Sequence, residues 1–255
     1  MKRLNLNVVS QVMIADNIFE LTVEGEGVES MKVPGQFVHV RTGEGFSSLL
    51  RRPISICDAD TANNRLKMVY RAQGKGTAWL STRSRGDKID LLGPLGNGFN
   101  QDVVEAGGKA LLVGGGIGVP PLYYLGRKLA QKGVAVSFAL GFQSSKDAFY
   151  IEKFKEIGRV AVATADGTIG KKGFVTDVMD KFTAEQPVVF ACGPSPMLRA
   201  LNHKTEGLNA YYSFEERMGC GVGACFACVC EAATPSGYVK ICSDGPVFKK
   251  EEVSI

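Results

Sequence analysis

Histidine is nearly missing from this chain: its 255 residues include two, His39 and His203. They stand far apart, which excludes an acid–base centre built on paired imidazoles, and both read as structural or surface residues. Long apolar runs are missing as well. No stretch approaches the roughly 20 residues that a membrane-spanning helix needs. The opening MKRLNLNVVSQVMIADNIFEL alternates polar and apolar residues and has no apolar core of a secretory leader. Nor is charge concentrated anywhere. The 30 Lys and Arg exceed the 26 Asp and Glu by a net +4, spread along the sequence, so no nucleic-acid footprint is visible. No internal repeat and no low-complexity tract occurs.

What is present is ordinary for a folded protein, 45% hydrophobic and 22% charged, with one exception. Seven cysteines stand in a chain with no export signal. That predicts a cytoplasmic, reducing setting, in which cysteines serve as ligands or stay free rather than pair as disulfides. Their spacing is informative. Cys220, Cys225 and Cys228 follow C-x4-C-x2-C, and Cys242 follows after thirteen residues. This is the ligand spacing of plant-type [2Fe–2S] clusters. A tight loop can present three thiolates, and a later segment returns the fourth. Gly219, Gly221 and Gly223 let backbone pass close and turn amides inward. Cys230 is a fifth thiol that the spacing does not require. Zinc is the alternative for such a set, although structural zinc sites usually show two close cysteine pairs.

The first hundred residues are short β-rich segments, at 4–13, 17–24, 36–41, 54–57 and 65–71, punctuated by Gly, Pro and Asn. The pattern predicts a small antiparallel barrel, with a helix over 75–82 and one further strand. Two motifs in it carry chemistry. Arg52-Pro53-Ile54-Ser55 resembles the flavin motif of the ferredoxin reductase superfamily: Arg52 can meet a pyrophosphate while Ser55 and the backbone face a flavin ring. Val69-Tyr70-Arg71 offers an aromatic to stack on a ring, and Gly76-Thr77 offers amides at a helix start. Read without a ligand, the same residues are a strand start and an exposed turn.

From about residue 100 the pattern changes to alternating strands and helices, which predicts a doubly wound parallel sheet. Helices are expected over 119–133, 147–157, 173–182 and 195–205, the last capped by Ser195. Ligands of such sheets bind at the carboxyl ends of the strands. Two stretches fall there. Gly115, Gly116 and Gly118 follow the first strand, though not in the usual G-x-G-x-x-G spacing. Cys192 and Gly193 end the last strand, and Cys192 is placed to lie near a nicotinamide. The alternative for each is a tight turn or a small buried residue.

The order of these motifs is similar to that of the electron-transfer subunits of type B, NAD-linked dihydroorotate dehydrogenases, within the ferredoxin reductase superfamily. RRPISI, ATADG with KGFVTD, FACGPSPML and EERMGCGVGACFACVC carry the resemblance, which spans nearly the whole chain. It implies an FAD-binding barrel at 1–99, an NAD-binding α/β domain at 100–207 and a cluster module at 208–255. It implies FAD on Arg52–Ser55, Val69–Arg71 and Gly76–Thr77, and a [2Fe–2S] cluster on Cys220, Cys225, Cys228 and Cys242. It further implies a separate FMN-containing catalytic subunit, two of each chain in a heterotetramer, and no dihydroorotate site here. The residues alone do not decide NAD against NADP: Lys146 and Asp147 are adjacent after the second strand. Other reductases of the superfamily, ferredoxin:NADP or sulfide-linked, are the alternative.

Overall fold

A computed structural model describes residues 1–45 and 48–254. Six strands close a barrel: β1 (Lys2–Ala15), β2 (Ile18–Glu24), β3 (Phe37–Val40), β4 (Arg52–Asp60), β5 (Arg65–Arg71) and β6 (Lys88–Leu95), in the order β1-β2-β5-β4-β3-β6. Every neighbouring pair is antiparallel, and β1 against β6 closes the ring. Alternation drives this. Leu4, Leu6 and Val8 point inward along β1, as Ile89 and Leu91 do along β6, while the residues between them face water. The helix α1 (Lys75–Ser81) follows β5.

The second unit is a sheet with strands in the order β10-β9-β8-β7-β11-β12-β15. In chain order these are β7 (Lys109–Gly115), α2 (Pro120–Gln131), β8 (Ala135–Phe142), α3 (Ile151–Lys155), β9 (Arg159–Thr164), β10 (Lys171–Lys172), α4 (Asp180–Thr183), β11 (Val188–Cys192), α5 (Ser195–Lys204) and β12 (Ala210–Ser213). These strands run parallel. Helix α2 begins on two prolines, whose missing N–H groups would be unbonded in a first turn anyway, and buries Leu122, Leu125 and Leu129. After β7 the chain builds β8 and β9 on one side, and β11 and β12 lie on the other. The order reverses between β7 and β11, which opens a crevice at their carboxyl ends.

The last segment holds the hairpin β13 (Val229–Glu231) and β14 (Tyr238–Lys240), then β15 (Val247–Lys249), which joins the sheet antiparallel to β12. The sheet thus takes two strands from beyond residue 207. Buried residues of this segment share one core with Phe37 and Leu95 of the barrel and Leu111, Val113 and Val189 of the sheet. The segment is therefore wedged against both other units. No helix among the described residues is long and apolar enough to cross a membrane.

Three local expectations need correction. The helix expected over 173–182 is broken into a turn at Val175–Asp177 and the short α4. The Asp177 carboxylate accepts from the Phe174 amide at 2.7 Å, an N-terminal cap that starts this turn after Phe174 and leaves Gly173 and Phe174 outside it. The helix expected over 147–157 narrows to Ile151–Lys155, because Tyr150 sits at φ 62 and cannot be helical. Ser195 is not a cap: Pro194 holds that position, and Ser195 is the first helical residue.

Candidate functional site

Two cavities meet where the barrel, the sheet and the C-terminal segment touch. The first is about 450 Å³ and is lined by Arg52, Pro53, Ile54 and Ser55 of β4, by Val69, Tyr70 and Arg71 of β5, and by Thr77 of α1. Two motifs separated in sequence thus form one wall, because β4 and β5 are neighbours in the barrel. Gly76 does not line this cavity. It lines the adjoining hollow with Arg52, Thr42 and Trp79. A Cβ there would stand 2.5 Å from Thr42 Oγ1 and 3.5 Å from Arg52 Nε, so a side chain would fill the passage. The Thr77 hydroxyl accepts from the Gln73 and Gly74 amides at 3.2 and 3.1 Å and fixes the entry to α1.

Tyr70 is held by a residue that the sequence reading passed over. Its hydroxyl donates to Gln11 Oε1 at 2.8 Å, and Gln11 Nε2 donates to the Leu80 and Arg83 carbonyls at 2.9 Å. Burial pushes the Tyr70 phenol well above its ordinary value. Nothing in the local sequence marks Gln11, since β1 is 59 residues away from Tyr70.

The second cavity, about 650 Å³, opens at the carboxyl ends of β7, β8 and β11. Gly115 and Gly116 line it, with Phe142, Phe174, Pro196 and Met197. Arg71, Ile117 and Glu215 line both cavities, so the two spaces share a wall. Arg71 pairs with Asp147 at 3.4 Å, and Asp147 lines the second cavity while Lys146 does not.

Three of the expected residues lie behind this cavity rather than on it. A Cβ on Gly118 would stand 2.4 Å from the Cys192 carbonyl oxygen and 2.6 Å from the Gly193 nitrogen. Gly193 in turn lies against Met197 and the Gly115 nitrogen. Gly118 and Gly193 therefore let the two strand–helix turns pack together. Cys192 is buried, with its thiol 3.9 Å from Glu215 Oε1, and burial and that carboxyl push the thiol well above its ordinary value. Glu215 is solvent-exposed and lines both cavities. Nearby protein atoms nonetheless desolvate the carboxyl in part and raise its pKa, against a smaller opposing pull from Cys192. Sequence reading missed Glu215. Its position two residues after β12 is a signal only once β12 is known to belong to the sheet.

Glu216 and Met218 also line the first cavity, and Met218 stands two residues before Cys220. The chain goes directly from the cavity wall into the cysteine loop. There the four thiols form two adjacent pairs, Cys220 with Cys225 and Cys228 with Cys242. Backbone amides converge on the sulfurs. Val222, Ala224 and Cys225 donate to Cys220 Sγ at 3.4, 3.2 and 3.4 Å. Gly223 donates to Cys242 Sγ at 3.1 Å, Cys220 to Cys225 Sγ at 3.3 Å and Cys242 to Cys228 Sγ at 3.4 Å. Positive φ at Gly221 and Gly223, 72° and 79°, turns these amides inward. Burial raises the Cys220 thiol, but the Val222 and Cys225 amides, the Cys225 thiol and the Ala224 amide outweigh it and bring the pKa to about 6. Burial and the Cys228 neighbour push Cys242 up to about 12. No three His, Cys, Asp or Glu side chains among the described residues gather closely enough for a single metal ion. Cys230 lies outside the loop, in β13 opposite Val239.

The iron–sulfur cluster binding domain of dihydroorotate dehydrogenase B matches residues 215–254, and an oxidoreductase NAD-binding domain matches residues 112–203. The dihydroorotate dehydrogenase B (NAD(+)) electron transfer subunit of Bacillus cereus is 56% identical over 99% of both chains. Its counterpart in Bacillus anthracis is 55% identical over the same share. The chain belongs to this family of electron transfer subunits. Among solved structures, one of an NADH-dependent reduced ferredoxin-NADP oxidoreductase superposes with a TM-score of 0.86 at 34% identity, covering 98% of this chain and 89% of the other. A ferredoxin NADP+ reductase from Neisseria gonorrhoeae, at 14% identity and a TM-score of 0.67 over 82% and 92%, shares the fold. The family's iron–sulfur domain coincides with the thiol loop, and its residues fit such a group. Four thiols with six inward amides are the donor set that thiolate-held clusters use. Gly219, Gly221 and Gly223 keep three positions of the loop free of side chains.

Proposed function

We propose that this chain is the electron transfer subunit of dihydroorotate dehydrogenase B, moving electrons from the FMN of a catalytic subunit through [2Fe–2S] and FAD to NAD+ in pyrimidine synthesis. The observation that carries the reading is contiguity. The first cavity shares Glu216 and Met218 with the approach to the cysteine loop, and Arg71, Ile117 and Glu215 with the second cavity. Three binding places in contact suit a relay.

In this reading Arg52–Ser55, Val69–Arg71 and Gly76–Thr77 hold FAD. Gly115 and Gly116 approach the NAD diphosphate, and Gly118, Cys192 and Gly193 shape that site from behind. Cys220, Cys225, Cys228 and Cys242 hold the cluster. A bound flavin accepts electrons singly from a cluster and gives them in pairs to a nicotinamide. The protein's own part is placement: Gln11 fixes the Tyr70 ring, Arg52 supplies positive charge at the hollow lined by Gly76, and Glu215 places a carboxyl between the cavities.

Val222, Phe226, Val229 and Tyr238 leave apolar surface exposed on the cluster module. That face suits the FMN-containing partner, in a cytoplasmic heterotetramer with two of each subunit. Reductases that act on ferredoxin are the second reading. Identity of 56% to the dihydroorotate dehydrogenase subunit, against 34% to the ferredoxin-NADP enzyme, favours the first. Co-purification with an FMN-binding dihydroorotate dehydrogenase subunit, followed by an assay of NAD+ reduction by dihydroorotate, tests it. A complex that reduces NAD+ supports the reading. Failure to associate, or a complex that reduces ferredoxin but not NAD+, overturns it.

A further inference from the structure

Strand β3 is buried along its whole length because it has protein on both faces. Val38 and Val40 belong to the barrel core, whereas Phe37 belongs to the core shared with the cluster module. His39 lies on that second face. It is 1% exposed, and neither ring nitrogen has a hydrogen-bond partner among the described residues. The ring presses on Gly221 of the cysteine loop, where an added Cβ would stand 2.6 Å from Nδ1, 3.1 Å from Cε1 and 3.3 Å from Cγ. It also borders the Cys220 and Arg51 backbones without completing a bond to either. In the barrel, His39 pairs with Pro53, within the stretch that lines the first cavity. One side chain therefore touches the cysteine loop from the strand next to the flavin motif.

An imidazole buried with two unpaired nitrogens is costly, and an apolar side chain of similar size would avoid that cost. Packing alone does not account for histidine at this position. We propose that His39 is a positioning residue for electron exchange between the flavin cavity and the cysteine loop. Its ring seats Gly221 on the barrel and reserves a polar nitrogen for the Cys220–Gly221 backbone. An electron added at the loop raises its negative charge, and a ring N–H held in a dry interface favours that charge. This proposal rests on the functional reading above.

The test compares full-length wild type, His39→Phe and His39→Gln, purified anaerobically, by iron and FAD content and by an EPR-monitored redox titration. Wild type without iron or FAD would defeat the functional reading before any variant is considered. With wild type loaded, His39→Phe is expected to lower the cluster midpoint potential. The shift should change electron sharing with the flavin roughly tenfold, about 59 mV for one electron. His39→Gln, which keeps a polar N–H, should return most of the way to wild type. A wild-type potential in His39→Phe would overturn the proposal. Equal shifts in Phe and Gln, or loss of iron from both with FAD retained, would also overturn it, because ring packing and not the nitrogen would then be responsible.

Discussion

Cys225 is exposed, Cys220 partly so, and Cys228 and Cys242 are buried, so the loop presents one thiol outward and anchors two within the core. Serine at Cys225 removes a soft ligand without disturbing that core. Cys225→Ser is expected to lose iron and the visible absorbance of the cluster while FAD stays bound, as read by elemental analysis and the flavin spectrum. Cys230→Ser should keep full iron, because none of the amide–sulfur contacts described above reaches that thiol. Arg52→Ala should weaken FAD binding by about 1.5–3 kcal/mol, the usual worth of a hydrogen bond to a charged group, in a fluorescence titration. Most of these residues were legible in the sequence because their spacing is local: ligands within one loop, Arg52 to Ser55 within one strand. Gln11, Glu215 and His39 were not. Each acts on a residue far along the chain, and His39 in particular reads as an ordinary strand residue until Gly221 is placed against it.

At the level of strands and helices, periodicity identified the barrel and the parallel sheet correctly, since their cores follow simple patterns. It overextended the helices at 147–157 and 173–182. There a left-handed residue, Tyr150, and the N-terminal cap that Asp177 makes on the Phe174 amide start each segment later than composition alone suggests. The glycines at the end of β7 and just beyond it look alike in sequence but divide by role. Gly115 and Gly116 line the cavity, and Gly118 meets the Cys192 and Gly193 backbone. Gly118→Ala has no flexible neighbour to displace. It should destabilise the protein by about 1–3 kcal/mol, the usual cost of overpacking, in denaturant unfolding. NADH affinity should fall with it, because the two turns that shape the second cavity are forced apart.

Across the whole molecule, the barrel and the sheet are joined by charged contacts. Glu20 of β2 accepts from Lys153 at 2.9 Å and from the Tyr150 hydroxyl, and Lys67 lies 3.4 Å away. Asp58 of β4 pairs with Arg127 of α2. Burial works to raise the Glu20 carboxyl, but Tyr150, Lys153 and Lys67 together hold it below its ordinary value of 4.5. A carboxylate lowered in this way stabilises the folded chain fully above pH 4.5, and the contribution is lost as pH falls through the lower folded value. Glu20→Gln should therefore be less stable than wild type at neutral pH and lose less on acidification, in denaturant titrations run across that range. The most direct test of the account is elemental and flavin analysis of the full-length protein prepared without oxygen. The relay reading predicts paired iron, matching acid-labile sulfide and one FAD in each chain. A preparation that folds and binds NAD but carries no iron would contradict it.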